Sequence, residues 1–165
     1  MKRLAAALLV GLALYATPVL ADPTDEEPDS ARIDPDYAAG KKAIEAKDWT
    51  TAIRTLSSAA LRDTRNADIQ NYLGFAYRNA GEMKQAFEHY EHALKLNPRH
   101  RGAHEYVGEA YLLIDNLPKA EEHIAALRAI CLIPCEELED LQARSAPTAI
   151  ARASNDRSSA RRVLR

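Results

Sequence analysis

Tyr72-Leu73-Gly74-Phe75-Ala76-Tyr77, followed by Gly81, Ala86, Tyr90, Ala93 and Asn97-Pro98, carries the pattern that sets the architecture. Ile69, Tyr72, Leu73, Ala76, Tyr77 and Ala80 fall at helical spacing and form one apolar stripe. Gly81, free to adopt the left-handed conformation, stops that helix. Ala86, Phe87, Tyr90, Ala93, Leu94 and Leu96 make a second stripe. Asn97-Pro98 closes it, because proline disfavours helix at the residue before it and cannot continue the hydrogen-bond ladder. The segment predicts two short helices packed on each other. Gly74 and Ala86 leave room for close approach, and Tyr77 and Tyr90 fill the space between units.

The pattern recurs. Gly40, Gly74 and Gly108 are spaced by 34 residues, and so are Ala52, Ala86 and Ala120. Leu56, Tyr90 and Ile124 keep the register, as do Ala59, Ala93 and Leu127, and Ala43, Tyr77 and Tyr111. Agreement of several columns in one register signals a repeat array whose units bury their apolar faces against one another.

On these residues, 67–100 resembles a tetratricopeptide repeat, with Gln70 where that family usually places its first tryptophan. Residues 101–134 keep Gly108, Tyr111 and Ala120, with Leu127 and Leu132 in place of the usual alanine and proline; residues 33–66 keep Gly40, Ala52 and Ala59. The resemblance implies an all-α, right-handed superhelix of antiparallel helix pairs, about three repeats long. Residues 135–144 read as a capping helix: Leu138 and Leu141 face the array, Glu136, Glu137, Glu139 and Asp140 face solvent, and Pro134 suits the first turn.

The flanks differ from this array. Lys2 and Arg3 precede an uncharged apolar run, Leu4 to Ala16, and Val19-Leu20-Ala21 supplies small residues at the positions a signal peptidase inspects. Residues 1–21 are therefore expected to be a signal peptide cleaved after Ala21, exporting the protein to the periplasm of a bacterium with two membranes. The run is too short for a membrane span, and no later segment is long and apolar enough for one. Residues 22–35 form an acidic leader with three prolines, and residues 145–165 a basic tail holding Arg152, Arg157, Arg161, Arg162 and Arg165. Neither has enough large apolar side chains to offset its ordering entropy, so both are expected to be disordered around a folded region 36–144.

The charge balance, 22 Lys and Arg against 24 Asp and Glu, gives a formal net charge of −2, unlike that of a nucleic-acid binder. Loss of Lys2 and Arg3 with the signal segment leaves 20 basic against 24 acidic side chains. Two cysteines are too few for a disulfide scaffold or a four-cysteine zinc site. In an oxidising compartment Cys131 and Cys135 are expected to pair and pin the cap; a thiol-redox or metal-handling protein built on them is the alternative. His89, His92, His100 and His104 lack a third ligand at metal-binding spacing and are expected on solvent-facing helix positions. No nucleophile motif, paired catalytic carboxylates, phosphate loop or cofactor signature stands out, so no enzymatic activity and no cofactor is expected.

The resemblance implies that the first helix of each pair lines a concave face that binds a protein or peptide partner. Its residues here are Tyr37, Lys41, Asn71, Phe75, Arg78, Asn79, Glu105, Glu109 and Leu112. Phe75 stands off the core stripe as a contact residue, Asn71 and Arg78 are placed to bond a peptide's backbone or carboxylate, and Glu105 and Glu109 suit a basic segment, the chain's own tail among the candidates. The function expected is an adaptor or assembly factor of the bacterial envelope.

Overall fold

A computed structural model describes residues 34–147. The signal segment, most of the acidic leader and most of the basic tail lie outside the described residues. Seven helices follow one another: α1 (Pro35–Glu45), α2 (Trp49–Arg62), α3 (Ala67–Asn79), α4 (Met83–Leu96), α5 (Arg101–Leu113), α6 (Leu117–Ile130) and α7 (136–147). They pack as three pairs, α1 with α2, α3 with α4 and α5 with α6, and the pairs stack into a superhelix closed by α7. The 34-residue columns form its core: Ala52, Ala86 and Ala120 are fully buried, and so are Leu56, Tyr90, Ala59, Ala93 and Leu127.

The glycine column marks the closest approaches. A β-carbon on Gly40 would lie 2.5 Å from Leu56 Cγ, and one on Gly74 would lie 2.5 Å from Tyr90 Cδ1. In the third unit the intruder changes: a β-carbon on Gly108 would lie 2.5 Å from Leu141 Cδ2, a residue of α7. The cap thus presses on α5 where the other units press their own second helix on the first.

Each pair turns through one construction. Gly81 is left-handed at φ 84°, and Lys47 (57°) and Asp115 (56°) stand 34 residues to either side in the same conformation. The next residue donates its N–H five residues back: Asp48 to Ala43, Glu82 to Tyr77 and Asn116 to Tyr111, at 2.8–2.9 Å. This six-to-one bond caps the last carbonyls of the first helix. Asp48 and Asn116 then turn outward as N-caps, accepting from Thr51 N and Lys119 N, while Glu82 caps nothing with its longer side chain.

The helical region is slightly wider than 36–144. Asp34, read as leader, caps α1 by accepting from the N–H groups of Asp36 and Tyr37. Arg62 at the end of α2 donates to both Asp34 and Asp36 at 2.7 Å, and this hydrogen bonding holds the Asp34 carboxyl at about 2. At the other end α7 runs through 147 and buries Ser145. Pro134 precedes the cap helix rather than entering its first turn; Cys135 O accepts from Leu138 N and Glu139 N and starts the helix instead. Glu137 is half-buried beside Arg101 rather than solvated.

Candidate functional site

The first helices of the pairs, α1, α3 and α5, neighbour one another, and α7 lies beside α5. An open groove of about 700 Å³ lies across α3, α5 and α7. Asn71, Phe75, Arg78, Asn79, Glu105 and Glu109 all line it. Leu112 lies in an adjoining hollow that shares Arg78, Asn79 and Glu109 with the groove. Tyr37 and Lys41 sit apart on α1, where the Lys41 ammonium lies 5.7 Å from the Tyr72 ring centre and 5.8 Å from that of Tyr37.

The groove's side chains are more committed to one another than sequence spacing indicates. Phe75 is a packed aromatic, not a free contact: its ring centre is 4.9 Å from Tyr106 and 6.1 Å from Trp49. The Arg78 guanidinium stacks 5.1 Å from Phe75 and 5.5 Å from Tyr106. Its Nη1 donates to Glu109 Oε2 at 2.6 Å and to the Tyr106 carbonyl. Arg144 of α7 approaches the other carboxylate oxygen, Nε to Oε1 at 2.6 Å, as an ion contact without an aligned hydrogen bond. Glu109 is buried and doubly countered, so neither it nor Arg78 stands ready for a peptide.

Glu105, one turn earlier on α5, is the opposite case. It is partly buried and has no basic partner among the described residues. Its carboxyl is pushed up to about 7, first by desolvation and then by the charges of Glu109, Asp140 and Glu137, with Arg144 opposing. Asn71 is 4% exposed and its Oδ1 has no hydrogen-bond partner in the protein. Asp68, Tyr72, Tyr106 and Arg144 also line the groove, as do Glu136, Glu137 and Asp140, which were expected only to face solvent on the cap. Only the superhelical stacking brings α7 beside α5; the acidic run Glu136-Glu137 and Asp140 was the available signal.

The histidines are not solvent-facing as a set. His92 alone is exposed. His89 donates from Nδ1 to Gln70 Oε1 at 2.8 Å and stacks on Tyr77, ring centres 5.1 Å apart. Gln70 stands where the resembled repeat usually places its first tryptophan. His100 caps α5, its Nδ1 accepting from Ala103 N and its Nε2 bonding Asp68 Oδ1 at 2.9 Å. His104 is buried and Nδ1-to-Nδ1 with His123 at 2.9 Å. The tautomers follow from the partners: His104 Nε2 faces the Pro98 carbonyl at 3.1 Å and must donate, so its Nδ1 accepts and His123 Nδ1 donates. No group of three or more His, Cys, Asp or Glu among the described residues could hold a metal ion.

Cys131 and Cys135 are joined by a disulfide with a Cα–Cα distance of 6.1 Å. It ties the end of α6 to the start of α7. Inside its loop Leu132 and Ile133 are 98% and 78% exposed, so the bridge holds two apolar side chains in solvent.

Residues 67–100 match the model of the tetratricopeptide repeat family. The chain carries a tetratricopeptide-repeat fold. The solved structures that this tetratricopeptide array is similar to include the TPR domain of Sgt2 from Aspergillus fumigatus, with TM-score 0.65 and 19% identity over 79% of this chain and 83% of that one. Another is the Yersinia enterocolitica type III secretion chaperone SycD in complex with a peptide of the translocator YopD, at 0.63 and 14%, covering 78% and 95%. A third is the TPR2B domain of yeast Sti1 in its pHsp70 complex, at 0.62 and 16%, covering 68% and 94%. At these identities the likeness concerns the fold. Among curated proteins, the O-mannosyl-transferase Tmtc3 of Drosophila melanogaster is 26% identical over 83 residues, half of this chain. The chain spans 9% of that relative's length. No helix of the described residues is long and apolar enough to cross a membrane.

Proposed function

We propose that this chain is a protein-interaction adaptor or assembly factor that holds an extended segment of a partner in the groove across α3, α5 and α7. The observation that carries the reading is an open concave wall with unspent polar groups, the Asn71 Oδ1 and the Glu105 carboxylate, standing on a floor of interlocked aromatic rings. Such a site offers recognition and positioning without reactive chemistry. Complexes of similarly folded proteins, SycD with a translocator peptide and the Sti1 domain with pHsp70, support the same use here. The site of action in this proposal is a bacterial envelope, reached by way of the segment 1–21.

Affinity capture from the envelope fraction tests the groove. Phe75→Ala combined with Asn79→Ala should lose the partner that the unaltered chain recovers; equal recovery overturns the reading. Arg78 is left intact in that test, because its removal would strand the buried Glu109 carboxylate. Fractionation with sequencing of the mature N-terminus tests export: Asp22 is expected first, and an intact Met1 in the cytoplasm overturns it.

A further inference from the structure

The groove is an anion with its cations already consumed. Its two arginines, Arg78 and Arg144, both serve Glu109. Glu105, Glu136 and Asp140 remain without a basic partner among the described residues. An acidic lining alone would be an ordinary solvated surface. Asn71 adds a second and independent observation: a groove-lining side chain that is 96% buried carries an acceptor oxygen without a hydrogen-bond partner. Leaving such an acceptor unmade costs about 1–3 kcal/mol, so the site is built for a donor.

Resting on the groove reading above, we infer that the partner segment bears arginine, and that a guanidinium seats against the Asn71 Oδ1 and the Glu105 carboxylate. A guanidinium carries five donors and no acceptor, matching two acceptor groups of which one is anionic. Desolvation and the surrounding carboxylates hold the Glu105 carboxyl up, and an incoming cation relieves that stress directly. Tyr72 and Tyr106, which line the same groove, offer apolar surface to the arginine stem.

The test uses the full-length chain and a labelled nonapeptide of alternating alanine and arginine, with the alternating alanine–glutamate peptide as control, read by fluorescence anisotropy. The arginine peptide should bind and the glutamate peptide should not. Glu105→Gln should weaken the arginine peptide about tenfold, and Asn71→Ala should weaken it as well. Glu105 is only half-buried, so its variant keeps the test valid if Asn71→Ala unfolds. Equal binding by the unaltered chain and Glu105→Gln, or preference for the glutamate peptide, overturns the inference. A full-length variant with Arg152, Arg157, Arg161, Arg162 and Arg165 all changed to alanine addresses the tail. Unchanged affinity supports a separate partner, whereas a gain assigns the seat to the chain's own tail and overturns that assignment. Capture sensitive to Phe75→Ala combined with Asn79→Ala, together with indifference to Glu105→Gln, would leave the groove standing and sink only the arginine.

Discussion

Arg78 on α3 and Glu109 on α5 meet at 2.6 Å with each side chain 9% exposed. They couple the second unit to the third, and Arg144 extends the link to the cap. Desolvating such a pair is costly, and removing one partner costs more, because the other charge is left buried. Glu109→Ala should destabilise the fold by about 3–5 kcal/mol. Arg78→Met with Glu109→Leu should recover much of that loss, since both charges leave together. Urea denaturation of Arg78→Met, Glu109→Leu and their double variant measures the coupling; additive losses would contradict it.

The turn column gives a second prediction. Lys47 and Asp115 adopt a left-handed conformation that glycine adopts at Gly81 without penalty. Lys47→Gly should stabilise by about 0.5–1 kcal/mol, the steric relief outweighing the added freedom of the unfolded chain. Asp115→Gly should gain less, because aspartate tolerates the region better than lysine. Gly81→Ala should destabilise. Thermal melts order the three, and a loss in Lys47→Gly would contradict the account.

Three partly buried groups make stability depend on pH, the two histidines with one sign and the glutamate with the other. Burial and His104 hold the His123 imidazole down at about 4. The folded chain therefore binds fewer protons than the unfolded one between about 4 and 6.5, and this contribution is lost as pH falls through that window. Burial, then His92, lowers His89 as well and adds to the same acid limb. Glu105, raised to about 7, does the reverse: stability is fully present at low pH and lost as pH rises from 4.5 through about 7. His123→Gln should retain stability further into acid, and Glu105→Gln should raise the melting temperature on the alkaline side. Melting curves across pH check both, and unshifted limbs would contradict the assignments.

The disulfide closes a very short loop, so the chain-entropy model limits its contribution to about 2 kcal/mol. Cys131→Ser with Cys135→Ser should lower stability by no more than that and leave partner capture intact. Loss of capture with the fold preserved would instead give the bridge or its exposed Leu132-Ile133 tip a direct part in binding.

The repeat was legible because the 34-residue columns record contacts inside and between neighbouring units. Gly74 facing Tyr90 is such a contact, and it fixes a small residue in one column and a large one in another. Of the groove, only a shared face of the first helices was legible. Residues 34 apart lie on corresponding sides of successive first helices, so Asn71 and Glu105 come to line one groove. Their states were not readable. Phe75 looked free because no sequence rule brings Trp49 and Tyr106 onto its ring. Glu109 looked solvated because Arg144, 35 residues away, belongs to the cap. His104 looked exposed because its partner His123 sits on the other helix of the pair.

Periodicity alone determined the helices, their pairing and which residues share one side of the array, since these follow from local hydrogen bonding and from where apolar side chains recur along a helix. Tertiary structure decided which groups on that side are already satisfied. Burial and charge neutralisation are properties of the assembled stack: placing α7 along α5 consumes Glu109, and leaves Asn71 with a buried acceptor and Glu105 with a desolvated carboxylate, both uncommitted.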